Sequence, residues 1–193
     1  MMGTKVKIEN IPFGPFPVVL AGADVKGKPN YATIGACGVV CQEPVLFISL
    51  KDSHYTTAGV RNSGYFSVNI PSSDLVRKTD YCGIATGKKT DKSKVFTSFY
   101  DQAGKAPMIV ECPLNFLCQV IRSVKINGFE MFFGDIVASF ADARCLTDGN
   151  PDTKKIDPML ITSGGKYWTI GRPAGAIFKE GKRRARRKER GPI

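Results

Sequence analysis

The stretch Lys28–Gly64, KPNYATIGACGVVCQEPVLFISLKDSHYTTAGVRNSG, decides the fold. Its two apolar runs, Ala32–Cys41 and Pro44–Leu50, are broken by Gln-Glu-Pro and read as strands running out and back. At one end Asn30 and Thr33 lie beside a Gly-Lys-Pro turn. At the other, Lys51, Ser53, His54, Thr56 and Thr57 crowd the point where a strand gives way to a helix predicted over Tyr55–Asn62 and stopped by Ser63-Gly64. If Ser53 or a neighbour caps that helix, the free N–H groups of its first turn, the positive end of its dipole and the Thr56 and Thr57 hydroxyls suit a phosphate dianion. Both ends of the stretch can face one ligand.

Working outward, further short runs rich in Val, Ile, Phe and Thr read as strands: Pro17–Ala23, Tyr65–Ile70, Met108–Val110, Leu114–Ile126 and Phe129–Ala138. Asn127-Gly128 is a hairpin turn signal, and the whole pattern predicts a mostly antiparallel sheet or barrel. A second helix is expected from Ser73 to Cys82, closed by Gly83, and a third over Lys92–Ser98. The polar segment Asp142–Lys155 reads as a surface loop.

A chain of 193 residues is expected to form one domain over residues 1–178. Its net charge of +11 is uneven: from Lys179 onward eight Lys/Arg face two Glu, a balance of +6, which leaves +5 for the body. Residues 179–193 are therefore expected to be a basic, disordered tail, and nucleic acid or another polyanion is expected to bind only through it. The run Phe16–Ala23 is too short to span a membrane and no signal-peptide pattern precedes it, so a cytoplasmic protein is expected. The six cysteines form no Cys-x-x-Cys pair and His54 is the single histidine, which predicts buried free thiols and no metal site.

Two further segments carry possible chemistry. Gly83–Lys89 has three residues between Gly83 and Gly87 where a P-loop needs four, and Lys88 is followed by Lys89, so the run reads as a charged turn whose lysines could reach a phosphate or a flavin edge. In Ile161–Gly171, ITSGGKYWTIG, Tyr167 and Trp168 follow a Gly-Gly turn and can cover a core or stack on a planar ring. No Gly-x-Gly-x-x-Gly follows a strand, no Gly-x-Ser-x-Gly elbow is present, and the lone His54 has no obvious triad partners. Any catalysis is expected to rest on a bound cofactor.

Taken in order, PVVLAGADVKGKPNYATIGACGVV, EPVLFISLKDSHYTTAGVRNSGYFSVNIP, DYCGIATGKKTDKSKVF and GGKYWTIG resemble the flavin reductase-like family of FMN-binding split barrels, and within it the flavoredoxin-like proteins, from about Pro15 to Gly181. The resemblance implies a mainly β fold with flanking helices, a six-stranded antiparallel FMN-binding split β-barrel, acting as a homodimer. By position it assigns Asn30, Thr33, Ile34, Gly35 and Ala36 to the ribityl chain and isoalloxazine, Ser49, Leu50 and Lys51 to the flavin's flank, and Ser53, His54, Thr56 and Thr57 to its phosphate. Lys92, then Lys88, would supply a cationic contact, and Tyr167 or Trp168 would close over the ring or the dimer groove. Where many relatives carry Ser-Trp after the Asn-x-x-Thr turn, this chain has Gly35-Ala36, which reduces the aromatic cover. The implied activity is that of an FMN flavoprotein oxidoreductase, an NAD(P)H:flavin oxidoreductase or an electron-transfer flavoprotein. NADH, NADPH or a redox protein partner would be its donor. The alternative is a non-enzymatic FMN-binding module whose basic tail binds nucleic acid or another polyanion.

Overall fold

The computed structural model describes residues 3–9, 14–41 and 43–182. The main strands are β1 (Val19–Val25), β2 (Lys28–Ile34), β3 (Cys37–Val39), β4 (Val45–Lys51), β5 (Tyr65–Ile70), β6 (Leu114–Ile126) and β7 (Phe129–Ala141). They form one seven-stranded antiparallel sheet in the order β2-β1-β5-β6-β7-β4-β3. The two edge strands, β2 and β3, are a single run of chain interrupted at Gly35 and Ala36. The Ser49 N–H donates to the Ala36 carbonyl at 2.9 Å, so this run passes from one edge of the sheet to the other and the sheet curls into a barrel. The strand expected over Ala32–Cys41 is thus two. Counted as one bent strand it gives the six expected, and counted by pairing there are seven.

Strand β1, beside the β2 edge, is buried on both faces. Val19, Ala21 and Ala23 point into the barrel with Ile48, Leu50, Phe66 and Phe132, while Leu20 joins a second core with Tyr31, Phe96 and Ile109. Complete burial of a side chain such as Phe66 contributes roughly 1.5–3 kcal/mol. Two hairpins set the register. Val25 opposes Lys28 across Lys26 and Gly27, with φ of 54° and 73°, and Ile126 opposes Phe129 across Asn127 and Gly128, with φ of 47° and 79°. Left-handed pairs of this kind match the twist of antiparallel strands, and Asn-Gly adopts them at little cost. Lys26 lacks the short polar side chain that eases this conformation, so its place there is strained.

Helix α1 (Tyr55–Ser63) buries Thr56, Thr57, Gly59 and Val60 and ends at Gly64 with φ 71°. Arg61 anchors it, donating through Nε to Glu130 and through a terminal nitrogen to Asp52, each at 2.5 Å. A single 3₁₀ turn, Ser73–Leu75, leads into α2 (Val76–Ile84). This helix runs through Gly83 instead of stopping there, and Gly83 packs against the side of β2, where a Cβ would stand 3.4 Å from Thr33 Cβ.

Two expectations are corrected. Lys92–Ser98 is not a helix: the segment turns, with the Ser93 N–H donating to Asp91 at 2.9 Å, and ends in a two-residue strand, Ser98–Phe99, paired with Met108–Ile109. Lys92 and Phe96 point into the protein, and those buried anchors override the weak helical pattern. The segment Asp142–Lys155 is a structured excursion, with a 3₁₀ turn at Ala143–Cys145, a small hairpin of Leu146–Thr147 with Asn150–Pro151, and the short helix α3 (Thr153–Ile156). Asp142 and Asp152 cap these pieces by accepting from the N–H groups of Arg144 and Lys154. Beyond them β8 (Met159–Thr162) and β9 (Lys166–Thr169) join Phe16–Pro17 in a second, three-stranded sheet.

Cys82, Cys112 and Cys118 are buried, Cys37 and Cys145 partly so, and Cys41 is exposed, so the expectation of six buried thiols is corrected for these last three. Burial pushes the Cys82 thiol up to about 11 and Cys37 up to about 12. Among the described residues no helix is long and apolar enough to cross a membrane. Most of the expected tail, from residue 183 onward, lies outside the described residues.

Candidate functional site

The edge strand β2 lies between the start of α1 and the end of α2, and both faces of its chain carry polar groups toward these helices. Asn30, only 3% exposed, donates from Nδ2 to Thr56 Oγ1 at 2.7 Å, which ties β2 to the first turn of α1. Thr33 donates to the Thr79 carbonyl of α2. An edge strand has unpaired carbonyls, and here a lysine meets one of them. Lys92 Nζ donates to the Tyr31 carbonyl of β2 and, at 3.2 Å, to the Cys82 carbonyl near the end of α2.

Lys92 is 4% exposed, and among the described residues no carboxylate pairs with it. Burial therefore lowers its pKa. His54 is lowered as well, first by burial and then by the positive charges of Lys51, Lys92 and Lys88. Four basic side chains thus converge on the start of α1 from the β4–α1 turn and the 88–92 segment. The helix start adds to their field. His54 occupies the N-cap position with φ −66° and ψ 141°, and no side chain caps the first turn. Among the described residues the cap expected from Ser53 or a neighbour is absent, which leaves the first-turn N–H groups without a side-chain partner beside the hollow lined by His54, Tyr55 and Thr56.

Three adjoining hollows follow β2. The middle one, about 160 Å³, is walled by Asn30, Thr33, His54, Thr56 and Lys92 and closed by the 83–87 segment. A second, about 230 Å³, continues past Thr33, Ile34 and Gly35 to Tyr167. A third, about 320 Å³, opens on the other side between Asn30, Tyr55 and the lysines of 88–92. Gly87 forms the wall shared by the middle and third hollows. A Cβ on Gly87 would run into Asn30 Oδ1 and stand 2.6 Å from the Tyr55 ring, so a side chain there would occupy the groove's own lining.

The residues expected in the site separate into three groups. Asn30, Thr33, Ile34, Gly35, His54, Thr56, Lys88, Lys92 and Tyr167 line the hollows. Lys51 and Ser53 are exposed on the turn before α1, and Ala36 and Ser49 are joined backbone to backbone where the barrel closes. The side chains of Leu50, Thr57 and Trp168 do not line the hollows. Leu50 is fully buried in the barrel, and Thr57 Oγ1 donates to the Lys51 carbonyl at 2.8 Å, which fixes the turn that aims α1. Trp168 is 53% exposed with Nε1 on Thr162, because alternate residues of β9 face opposite sides. Tyr167 takes the groove side, donates to Asp80 at 2.8 Å, and has its pKa pushed up to about 12 by burial and that carboxylate.

Sequence reasoning missed Gly87, Tyr55 and the end of α2. The Gly83/Gly87 spacing was the available signal, visible as a failed P-loop but not as two close approaches to β2.

The family model described as "Flavin reductase like domain" matches residues 14–165. The fold is similar to that of a flavoredoxin from Methanosarcina acetivorans, with a TM-score of 0.90 and 44% identity over 94% of this chain and 99% of that one. It is also similar to the flavoredoxin of Desulfovibrio vulgaris (Miyazaki F), with a TM-score of 0.86 and 29% identity over 92% of this chain and 100% of that one. An FMN-binding protein from Thermus thermophilus shares the fold at 16% identity, with a TM-score of 0.76 and coverage of 91% and 99%.

Proposed function

This chain belongs to the flavin reductase like family, and from that premise we propose that it is an FMN flavoprotein oxidoreductase that passes hydride or electrons from NAD(P)H or a protein donor through FMN bound along β2. The observation that carries the reading is the uncapped start of α1 facing a buried lysine with no carboxylate partner, a pair of features that suits an anion at that point. The residues present fit FMN: a polar, cationic end at Asn30, His54, Thr56 and Lys92 adjoins a more apolar hollow at Ile34, Gly35 and Tyr167.

In this reading the first-turn N–H groups and the Thr56 hydroxyl hold the phosphate, while Lys92 and Lys88 neutralise it. The Asn30 side chain orients Thr56. Backbone groups from Thr33 to Ala36 line the ribityl chain and ring. Tyr167 closes the ring end, held in place by Asp80. FMN supplies the hydride and one-electron chemistry, and the protein supplies binding, orientation and a positive field. Homodimer formation is part of the proposal, supported by the exposed Ile121, Ile126 and Val137 along the β6–β7 hairpin.

The test is reconstitution with flavins of the apoprotein. Thr56→Ala should weaken FMN about tenfold, roughly 1.4 kcal/mol, and leave riboflavin unchanged, because only FMN carries the phosphate. Equal losses would move the phosphate elsewhere, and failure of the wild-type protein to bind FMN would reject the reading. Anaerobic bleaching with NADH and NADPH then separates a reductase from an electron carrier, which should react slowly with both.

A further inference from the structure

From Gly171 to Lys182 every residue is exposed, so the chain beyond β9 has no packed side chain of its own. Within it the neighbours Ile177 and Phe178 are 83% and 82% exposed, the highest values among the large apolar residues described. A single exposed apolar side chain is ordinary on a protein surface. Two large ones side by side on an unpacked segment mark a surface that something else covers. The pair opens a helical turn, in which the Lys179 N–H donates to the Ala176 carbonyl at 3.1 Å and the Lys182 N–H to the Phe178 carbonyl at 3.4 Å. Apolar and basic side chains therefore leave the protein together at this turn.

From Lys179 onward the sequence carries eight Lys/Arg against two Glu, a balance of +6. Charge and chemistry separate the partners that could cover an apolar pair beside such a run. A second copy meeting the segment through the same segment would set two strongly positive runs against each other, which repels. Nucleic acid matches the charge, but the phosphate contacts that supply most of such affinity reward neither apolar side chain. An anionic lipid surface meets both demands. Its headgroups attract the lysines and arginines, and the boundary beneath them takes up Ile177 and Phe178. Each signal is weak singly, and stable attachment without a spanning helix takes two together.

We propose that the segment from Ile177 onward seats the protein on an anionic lipid surface. Ile177 and Phe178 enter the headgroup boundary, and Lys179 and Lys182 pair with lipid phosphates beside them. No residue of the segment lines the groove, so attachment and flavin binding are separate properties.

The experiment is cosedimentation of the full chain with vesicles of phosphatidylcholine alone or of phosphatidylcholine mixed with phosphatidylglycerol. Wild-type protein should bind the mixed vesicles at least about tenfold more tightly than the neutral ones, and should lose that preference in about 1 M salt, where the screening length shortens to roughly 3 Å. Ile177→Ser/Phe178→Ser and, separately, Lys179→Glu/Lys182→Glu should each weaken binding to the mixed vesicles about tenfold or more. All four residues are exposed, so both variants should keep the wild-type circular dichroism spectrum. Equal binding to the two kinds of vesicle would overturn the proposal, as would binding that survives loss of the apolar pair. Tighter binding to an RNA oligomer than to the mixed vesicles, unchanged in Ile177→Ser/Phe178→Ser, would overturn it in favour of nucleic acid. A wild-type oligomer that dissociates in that variant would overturn it in favour of a second copy.

Discussion

The barrel interior and the groove share strand β2, which gives Ala32 and Ile34 to the one and Asn30 and Thr33 to the other, yet they follow opposite rules. Inside, Val19, Ala21, Ile48, Leu50, Phe66 and Phe132 are apolar and closely packed. Along the groove, Asn30, His54, Thr56 and Lys92 are polar or cationic, a helix start has no cap, and a lysine is buried without a carboxylate. The interior satisfies itself. The groove has donors and positive charge in excess of what its own residues accept, and that imbalance is what a ligand would correct. Stability and binding should therefore respond to different substitutions.

The largest expected effect lies inside. Phe66→Ala should cost about 3–5 kcal/mol in chemical denaturation, while the protein that remains folded keeps its flavin affinity. Substantial loss of affinity in the folded fraction would break the separation of the two regions. Next, Gly87→Ala should reduce flavin affinity about tenfold or more with a stability change under about 1 kcal/mol, because its Cβ intrudes on Asn30 and Tyr55 and not on the core. Isothermal titration beside thermal unfolding reads both quantities.

Lys92→Met separates two contributions. It leaves the Tyr31 and Cys82 carbonyls without their donor, but it also removes a desolvated charge, so the net stability change should stay within about 1 kcal/mol. Flavin affinity should fall about tenfold, and an unchanged dissociation constant would place the phosphate away from this ammonium.

The smallest effect concerns His54. Its folded pKa lies below its ordinary 6.5, so the unfolded chain takes up the proton first as pH falls. Its contribution to stability is therefore complete above pH 6.5 and declines as pH drops from there through the lowered folded value. His54→Gln should remove that part of the decline, so the gap between variant and wild type in melting temperature should shift in the variant's favour between pH 8 and pH 5. A gap independent of pH would mean that the imidazole is not held neutral by burial and its lysine neighbours.

Much of the fold was legible because it is written in local patterns. Leu114–Ile126 and Tyr65–Ile70 have the bounds read from the sequence, and Asn127-Gly128 forms the expected turn. The split at Gly35 and Ala36 was not legible, because a bent strand and two strands have the same apolar run. Lys92–Ser98 misled because helix propensity is weak when side chains such as Phe96 and Lys92 are drawn inward by distant partners. In the site, Asn30 and Thr56 could be named from their residue types. Their direct hydrogen bond, which spans 26 positions, could not.

By itself the sequence determined the strands, the tight turns, the helix start and the set of small hydrogen-bonding and basic residues, since each depends on the chemistry of near neighbours. Tertiary structure alone decided which of those residues share a groove. It turned Tyr167 inward and Trp168 outward, committed Thr57 to the Lys51 carbonyl, brought Gly87 against Asn30 and gathered five lysines around one hollow. Those outcomes depend on strand pleat and on the closure of β2 and β3 onto opposite edges of the sheet, which bring together residues far apart in the chain.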